Sequence, residues 1–161
     1  MLSYQHGYHA GNHADILKHL CWLAVINRLK QKNKPFNLID THAGSGCYRL
    51  DSEQASKTGE YKEGVVKLDQ FSPQDPLLVD YLAALALYRN NNEYPGSPVL
   101  AADLLRTNDA LHVMELHPGE IANLKGVLKR HKGQGQVHSH FRDGLEGLVA
   151  LSPPKPNRGA V

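Results

Sequence analysis

The chain is poor in cysteine, has no long apolar run and carries almost no excess of charge of one sign. Its two cysteines, Cys21 and Cys47, form no Cys-x-x-Cys pair. That argues against a disulfide framework or a structural zinc site and favours a reducing, cytoplasmic setting. The longest greasy stretch, Leu20 to Ile26, is far short of the ~20 residues needed to cross a bilayer. No basic leader precedes an apolar segment, so neither export nor membrane insertion is expected. A formal charge of +2 permits a nucleic-acid partner without demanding one, since a dedicated binding domain usually carries a denser basic excess. Repeats and low-complexity tracts are absent as well. What remains, 161 residues at 41% apolar and 21% charged, is the make-up of one soluble globular domain.

Ten histidines stand out against this background. Some crowd the polar N-terminal stretch with tyrosines: Tyr4, His6, Tyr8 and His9. Asn12 can then cap a helix over 13–31, with Asp15 in its first turn and Arg28, Lys30 and Lys32 complementing its negative end. Its apolar set is Ile16, Leu17, Leu20, Leu23, Ala24, Ile26 and Leu29. Lys34-Pro35 closes it, and a buried strand follows at 36–40. Residues 47–96 read as a mainly helical insertion, with Leu78, Tyr81, Leu82 and Leu85 on one helical face. Ser97 is placed to cap the next helix, with Pro98 at its first position. Beyond it the pattern alternates: helix 98–106, strand 111–116, helix 118–131, strand 136–141 and helix 144–151. Gly133 is expected to be the left-handed stop of the 118–131 helix. Short apolar strands alternating with amphipathic helices imply an α/β fold, a parallel sheet covered on both faces. The expected core is 1–46 with 97–161, and 47–96 is the insertion.

The strand at 36–40 runs into Asp40-Thr41-His42-Ala43-Gly44-Ser45-Gly46, an acidic twin-glycine turn suited to a nucleoside ligand, because glycine lets backbone N–H groups approach it. Ligands of such sheets gather at the carboxyl ends of the strands. The acids found there are Asp40, Glu115 and Asp143. An acid after the second strand suits ribose hydroxyls, and Asp143 can accept from an adenine amine. Glu115, inside an apolar run, either borders a ligand or caps the following helix. A dinucleotide fingerprint needs a third glycine, which is missing after Gly46, so an oxidoreductase is disfavoured. The D-x-x-x-G-x-G spacing from Asp40 resembles the first motif of S-adenosylmethionine-dependent methyltransferases. His6, His9 and His13 have helical metal-ligand spacing, but Gly7 and Gly11 break the helix that would align them, so no metal is expected. Lys18 and His19 sit between core-facing residues, at the margin of the first strand's end.

Taken together, Leu2-Ser3-Tyr4, His9 to Asp15, Leu17-Lys18-His19, Asp40 to Gly44, Thr58 to Tyr61, Tyr94 to Pro98 and Glu115 to Pro118 closely resemble the RlmJ family. Its members are bacterial 23S ribosomal RNA adenine-N6 methyltransferases. The resemblance implies a Rossmann-like sheet with a helical insertion after the first strand. It places His19, His42, Ser97, Glu115, Asp143 and Gly144 at S-adenosylmethionine, with Glu115 on the ribose and Asp143 near the adenine, in the cradle that Asp40 and Gly44 border. Tyr4 falls on a substrate-facing position, and His6 and Lys18 are candidates for the same pocket. The implied partner is 23S ribosomal RNA, with no membrane, and a monomer is expected. The family's catalytic Asp-Pro-Pro-Tyr motif does not occur in these residues. Gly159-Ala160-Val161 reads as the start of the strand that would carry it. The chain is therefore expected to be incomplete at its C-terminus and to hold the cofactor half of the site without turning over alone. A non-catalytic cofactor- or RNA-binding module is the alternative.

Overall fold

The computed structural model describes residues 5–153 and 157–161. A 3-10 turn at His6–Tyr8 leads to α1 (His13–Lys30), where the Asn12 side chain accepts the Asp15 N–H as the sequence suggested. Next come β1 (Phe36–Asp40), β2 (Cys47–Arg49), α2 (Glu53–Thr58), α3 (Val65–Leu68), α4 (Pro76–Arg89) and β3 (Glu93–Pro95). The chain continues through α5 (Ser97–Asp103), β4 (Ala110–Glu115), α6 (Pro118–Leu128), β5 (Gln136–Phe141), α7 (Gly144–Leu151) and β6 (Arg158–Ala160). The main sheet has the order β5-β4-β1-β6. All its pairings are parallel, with Leu38 opposite Leu111 and Ala160, and Leu111 opposite Val137. This is a Rossmann-like α/β arrangement, in which the carboxyl ends of β1, β4 and β5 share one edge.

One face of the sheet is closed by helices. Phe36 and Leu38 of β1 and Leu111 and Val113 of β4 pack against Ile26 of α1, Val99 and Ala102 of α5, and Ile121, Leu124 and Leu128 of α6. Cover on the other face is partial. There α7 approaches so closely that a Cβ on Gly147 would lie 2.3 Å from Met114 Sδ, while His112, His138 and His140 stack in a row with ring centroids 4.8 and 5.4 Å apart.

The segment between β1 and α5 is mostly helical, but it opens and closes on an antiparallel ribbon that the sequence reading lacked. In it β2 pairs with β3, Tyr48 opposite Tyr94, and the Gly96 N–H donates to the Gly46 carbonyl at 2.7 Å. This segment has its own apolar cluster, in which Tyr48, Leu50, Val65, Tyr81, Leu85 and Tyr94 meet Leu23 of α1 and Leu100 of α5.

Three local expectations need correction. Gly96, not Ser97, is the N-cap of α5, because the Ser97 hydroxyl is turned to Asp40 instead of to the helix amides. Gly133 is not a left-handed stop. The α6 helix ends with Lys129 right-handed, and what position 133 requires is the absence of a side chain, since a Cβ would lie 2.0 Å from the Ala102 carbonyl oxygen. The core-facing side of α1 also differs. Leu17 is 65% exposed, and the buried row is Asp15, His19, Leu23 and Ile26.

Candidate cofactor and substrate cleft

The turn after β1 forms the floor of a cleft. Gly44 and Gly46 have φ of +61° and +79°, a left-handed backbone that costs other residues roughly 1–2 kcal/mol. A Cβ at Gly44 would also lie 2.2 Å from Tyr48 Oη. With that space clear, the Ser45 N–H donates to Tyr48 Oη at 3.1 Å, which fixes the turn against the ribbon. Burial, and then the charge of Glu120, push the Tyr48 phenol far above its ordinary value, so it stays protonated.

The acids at the strand ends converge here. Glu115 Oε2 accepts the Gly44 N–H at 2.9 Å, and its Oε1 accepts the N–H groups of Leu116 and His117 at 2.8 and 2.7 Å. One carboxylate thus ties the end of β4 to the glycine turn. It does not cap α6, whose first amides are met by His117 Nδ1. Asp143 does cap a helix, accepting from Leu145 and Glu146 through Oδ1, and it also lines the cleft with Gly144. No side chain fits at Gly144, because a Cβ would lie 2.0 Å from the Thr41 carbonyl oxygen. Asp40 accepts the His42 N–H at 3.2 Å and the Ser97 hydroxyl at 2.7 Å.

The cleft has a volume of about 290 Å³ and is lined by Gly44, His42, Ser97, Glu115, Asp143 and Gly144, with His6 and Lys18 at its rim. An adjoining, more open groove shares His6, Lys18, Thr41, His42 and Ser97 with it and adds Asp40 and Asp15. Most of the residues expected from the sequence therefore meet at one opening.

Tyr4 lies outside the described residues. His19 does not join the others: it is fully buried and lines neither cavity. Its ring stacks on Tyr94 at 5.4 Å, and its Nδ1 is 3.1 and 3.0 Å from the hydroxyls of Tyr81 and Tyr94. Burial, more than the charge of Lys18, pushes this imidazole down to about 3 against the pull of Asp15.

The sequence reading missed Tyr48, Thr41, His117 and Glu120 as lining residues. It also missed Asp15 as more than a first-turn acid. His6, His9 and His13 do not converge: His6 bonds to Asp15 at 2.8 Å and His9 to Glu60 at 3.0 Å. Among the described residues no metal-binding group of three side chains forms, and no helix is long and apolar enough to cross a membrane.

Residues 33–161 match the family model described as "Ribosomal RNA large subunit methyltransferase D, RlmJ". The chain is similar to the Escherichia coli and Haemophilus influenzae proteins named "Ribosomal RNA large subunit methyltransferase J". It is 41% identical to each, over all of this chain and 58% of either relative. It is also similar to the crystal structure of a Legionella pneumophila protein, with a TM-score of 0.81 and 36% identity over 93% of this chain and 55% of that one. The chain therefore spans a little over half the length of these relatives.

Proposed function

Because the chain belongs to the RlmJ family of ribosomal RNA large subunit methyltransferases, we propose that its cleft holds S-adenosylmethionine and that the protein methylates N6 of an adenine in 23S ribosomal RNA. The observation that carries this reading is the meeting of Glu115 and Asp143, from successive strand ends, at the Gly44 turn, with Asp40 beside them. Carboxylates so placed suit the hydroxyls of a ribose and the amine of an adenine, and the side-chain-free positions Gly44 and Gly144 leave room for the ligand. At about 290 Å³ the cleft is at the lower end of small-molecule sites and suits a nucleoside-sized ligand.

Bound there, S-adenosylmethionine supplies an electrophilic methyl group on its sulfonium. The protein's own part is geometric. Glu115 fixes the turn through three backbone donors, and Asp40 and Ser97 hold the end of β1 to the start of α5. His6 and Lys18, shared by the cleft and the groove, form the rim where a target base enters. An adenine amine is a weak nucleophile, so alignment of the nitrogen with the methyl carbon provides much of the acceleration. The base is presented unstacked from RNA.

Calorimetric titration of the 161-residue chain with S-adenosylhomocysteine and with NAD tests the cofactor. Binding of the sulfur ligand alone is expected, and binding of NAD alone overturns the reading. A protein spanning the length of the relatives is expected to methylate protein-free 23S ribosomal RNA, whereas residues 1–161 alone bind the cofactor without turnover. Cofactor binding with no methyl transfer by the longer protein would favour a non-catalytic binding module.

A further inference from the structure

The side chain that joins His6 and Lys18 is not itself at the rim. Asp15 is 3% exposed, yet it gathers donors from three places. His6 Nε2 is 2.8 Å and the Gly11 N–H 3.1 Å from Oδ2, and Lys18 Nζ is 2.6 Å from Oδ1. Burial opposes its ionisation. The hydrogen bond from His6 and the charge of Lys18 prevail, and hold the carboxyl well below the ordinary range. An ionised carboxylate only accepts hydrogen bonds, so the His6 nitrogen facing it must carry the proton. One buried anion thereby sets the tautomer of His6, the direction of the Lys18 ammonium and the path of the backbone at Gly11, linking the N-terminal turn to α1. Complementing the helix dipole would require only an exposed acid in the first turn. It would not require burial beneath both His6 and Lys18.

We propose that Asp15 is a positioning residue for methyl transfer, acting through His6 and Lys18 by clamping both at the mouth of the cleft. This rests on the functional reading above. It assigns Asp15 no contact with substrate or cofactor, so its loss should lower turnover and leave cofactor affinity in place.

The test uses a protein spanning the length of the relatives, with Asp15→Asn as the isosteric variant. S-adenosylhomocysteine affinity is expected to stay within about threefold of wild type, while kcat for RNA methylation falls roughly 10- to 100-fold, the range for losing hydrogen bonds to a charged group. In a His6→Ala/Lys18→Ala background the same substitution is expected to cost less than about twofold, because the groups it positions are gone. Nitrogen-15 spectra of the His6 ring are expected to show the Nε2–H tautomer in the wild type and its loss in Asp15→Asn.

Turnover by Asp15→Asn at the wild-type rate overturns the proposal. So does an undiminished penalty in the double-variant background, or a fall in turnover matched by an equal fall in cofactor affinity. If Asp15→Asn does not fold, the wild-type spectrum still decides, since a His6 protonated on Nδ1 alone contradicts the clamp. A wild-type protein that neither binds S-adenosylhomocysteine nor methylates RNA would sink the functional reading instead, and the His6 tautomer would still judge the geometry.

Discussion

Replacing Glu115 by Gln removes one charge and exchanges one acceptor oxygen for an NH2 group, with little change of shape. In the native site both oxygens are in use, Oε1 by the Leu116 and His117 amides and Oε2 by Gly44. Gln can satisfy only one side. If its oxygen faces Leu116 and His117, its amide hydrogens meet the Gly44 N–H, and two donors oppose each other across the floor of the cleft. Leaving a buried donor unpaired costs about 1–3 kcal/mol. Glu115 is half-buried, so water relieves part of this, and about 1–2 kcal/mol is the working figure. Because that cost falls on the turn that receives the ligand, S-adenosylhomocysteine should bind roughly 5- to 30-fold more weakly. Glu115→Ala should do the same or worse. Glu63→Gln, on an exposed stretch of the 47–96 segment, is the control. Isothermal titration of the four proteins reads the effect directly. Glu115→Gln binding within twofold of wild type would refute the role given to this carboxylate.

Gly46→Ala forces a side chain into φ +79° with its Cβ 2.7 Å from Leu124 Cδ1. The strain and overpacking, about 2–4 kcal/mol together, should lower Tm by roughly 5–15 °C in a calorimetric scan. Asp109 accepts from the Phe36 N–H, the Arg106 N–H and the Arg106 guanidinium. Asp109→Ala should therefore cost about 1–3 kcal/mol in denaturant unfolding, as leaving the buried Phe36 donor unpaired does. Burial works against the Asp109 charge, but the Arg106 and Phe36 donors outweigh it and depress its carboxyl pKa. Its contribution is thus complete above the unfolded value near 4 and disappears as pH falls through the lower folded value. His19 has the opposite protonation balance at milder pH. With its folded value near 3 and an unfolded value near 6.5, the unfolded chain binds the extra proton. Stability should therefore drop by about 2 kcal/mol between pH 6.5 and 5, and His19→Gln should flatten that slope in pH-dependent melting.

The parts of the fold legible from sequence are those specified locally. The Asn12 cap and Lys34-Pro35 bracket α1, and the strands expected at 36–40 and 136–141 formed with those bounds. The strand ends then led to Asp40, Glu115 and Asp143, because in a parallel sheet chain order alone places those ends on one edge. The ribbon of β2 and β3 could not be read this way. Three residues are too few to show alternation, and the pairing of Tyr48 with Tyr94 depends on closing the whole intervening segment. The polar side of α1 was misread for a related reason. Apolar spacing assigns Leu17 to the core, whereas Asp15 and His19 are buried by partners distant in sequence, His6 and the hydroxyls of Tyr81 and Tyr94. Ser97 lines the cleft but was mistaken for a cap, because its partner Asp40 lies in another element.

The central claim is that one ligand is held jointly by the ends of β1, β4 and β5. Backbone amide spectra of the 161-residue chain titrated with S-adenosylhomocysteine test it most directly. The amides of Gly44, Leu116 and Gly144 are expected to move together along one saturable curve, while those around the exposed Phe71 stay still. Shifts confined to one strand end, or none at saturating ligand, would contradict it.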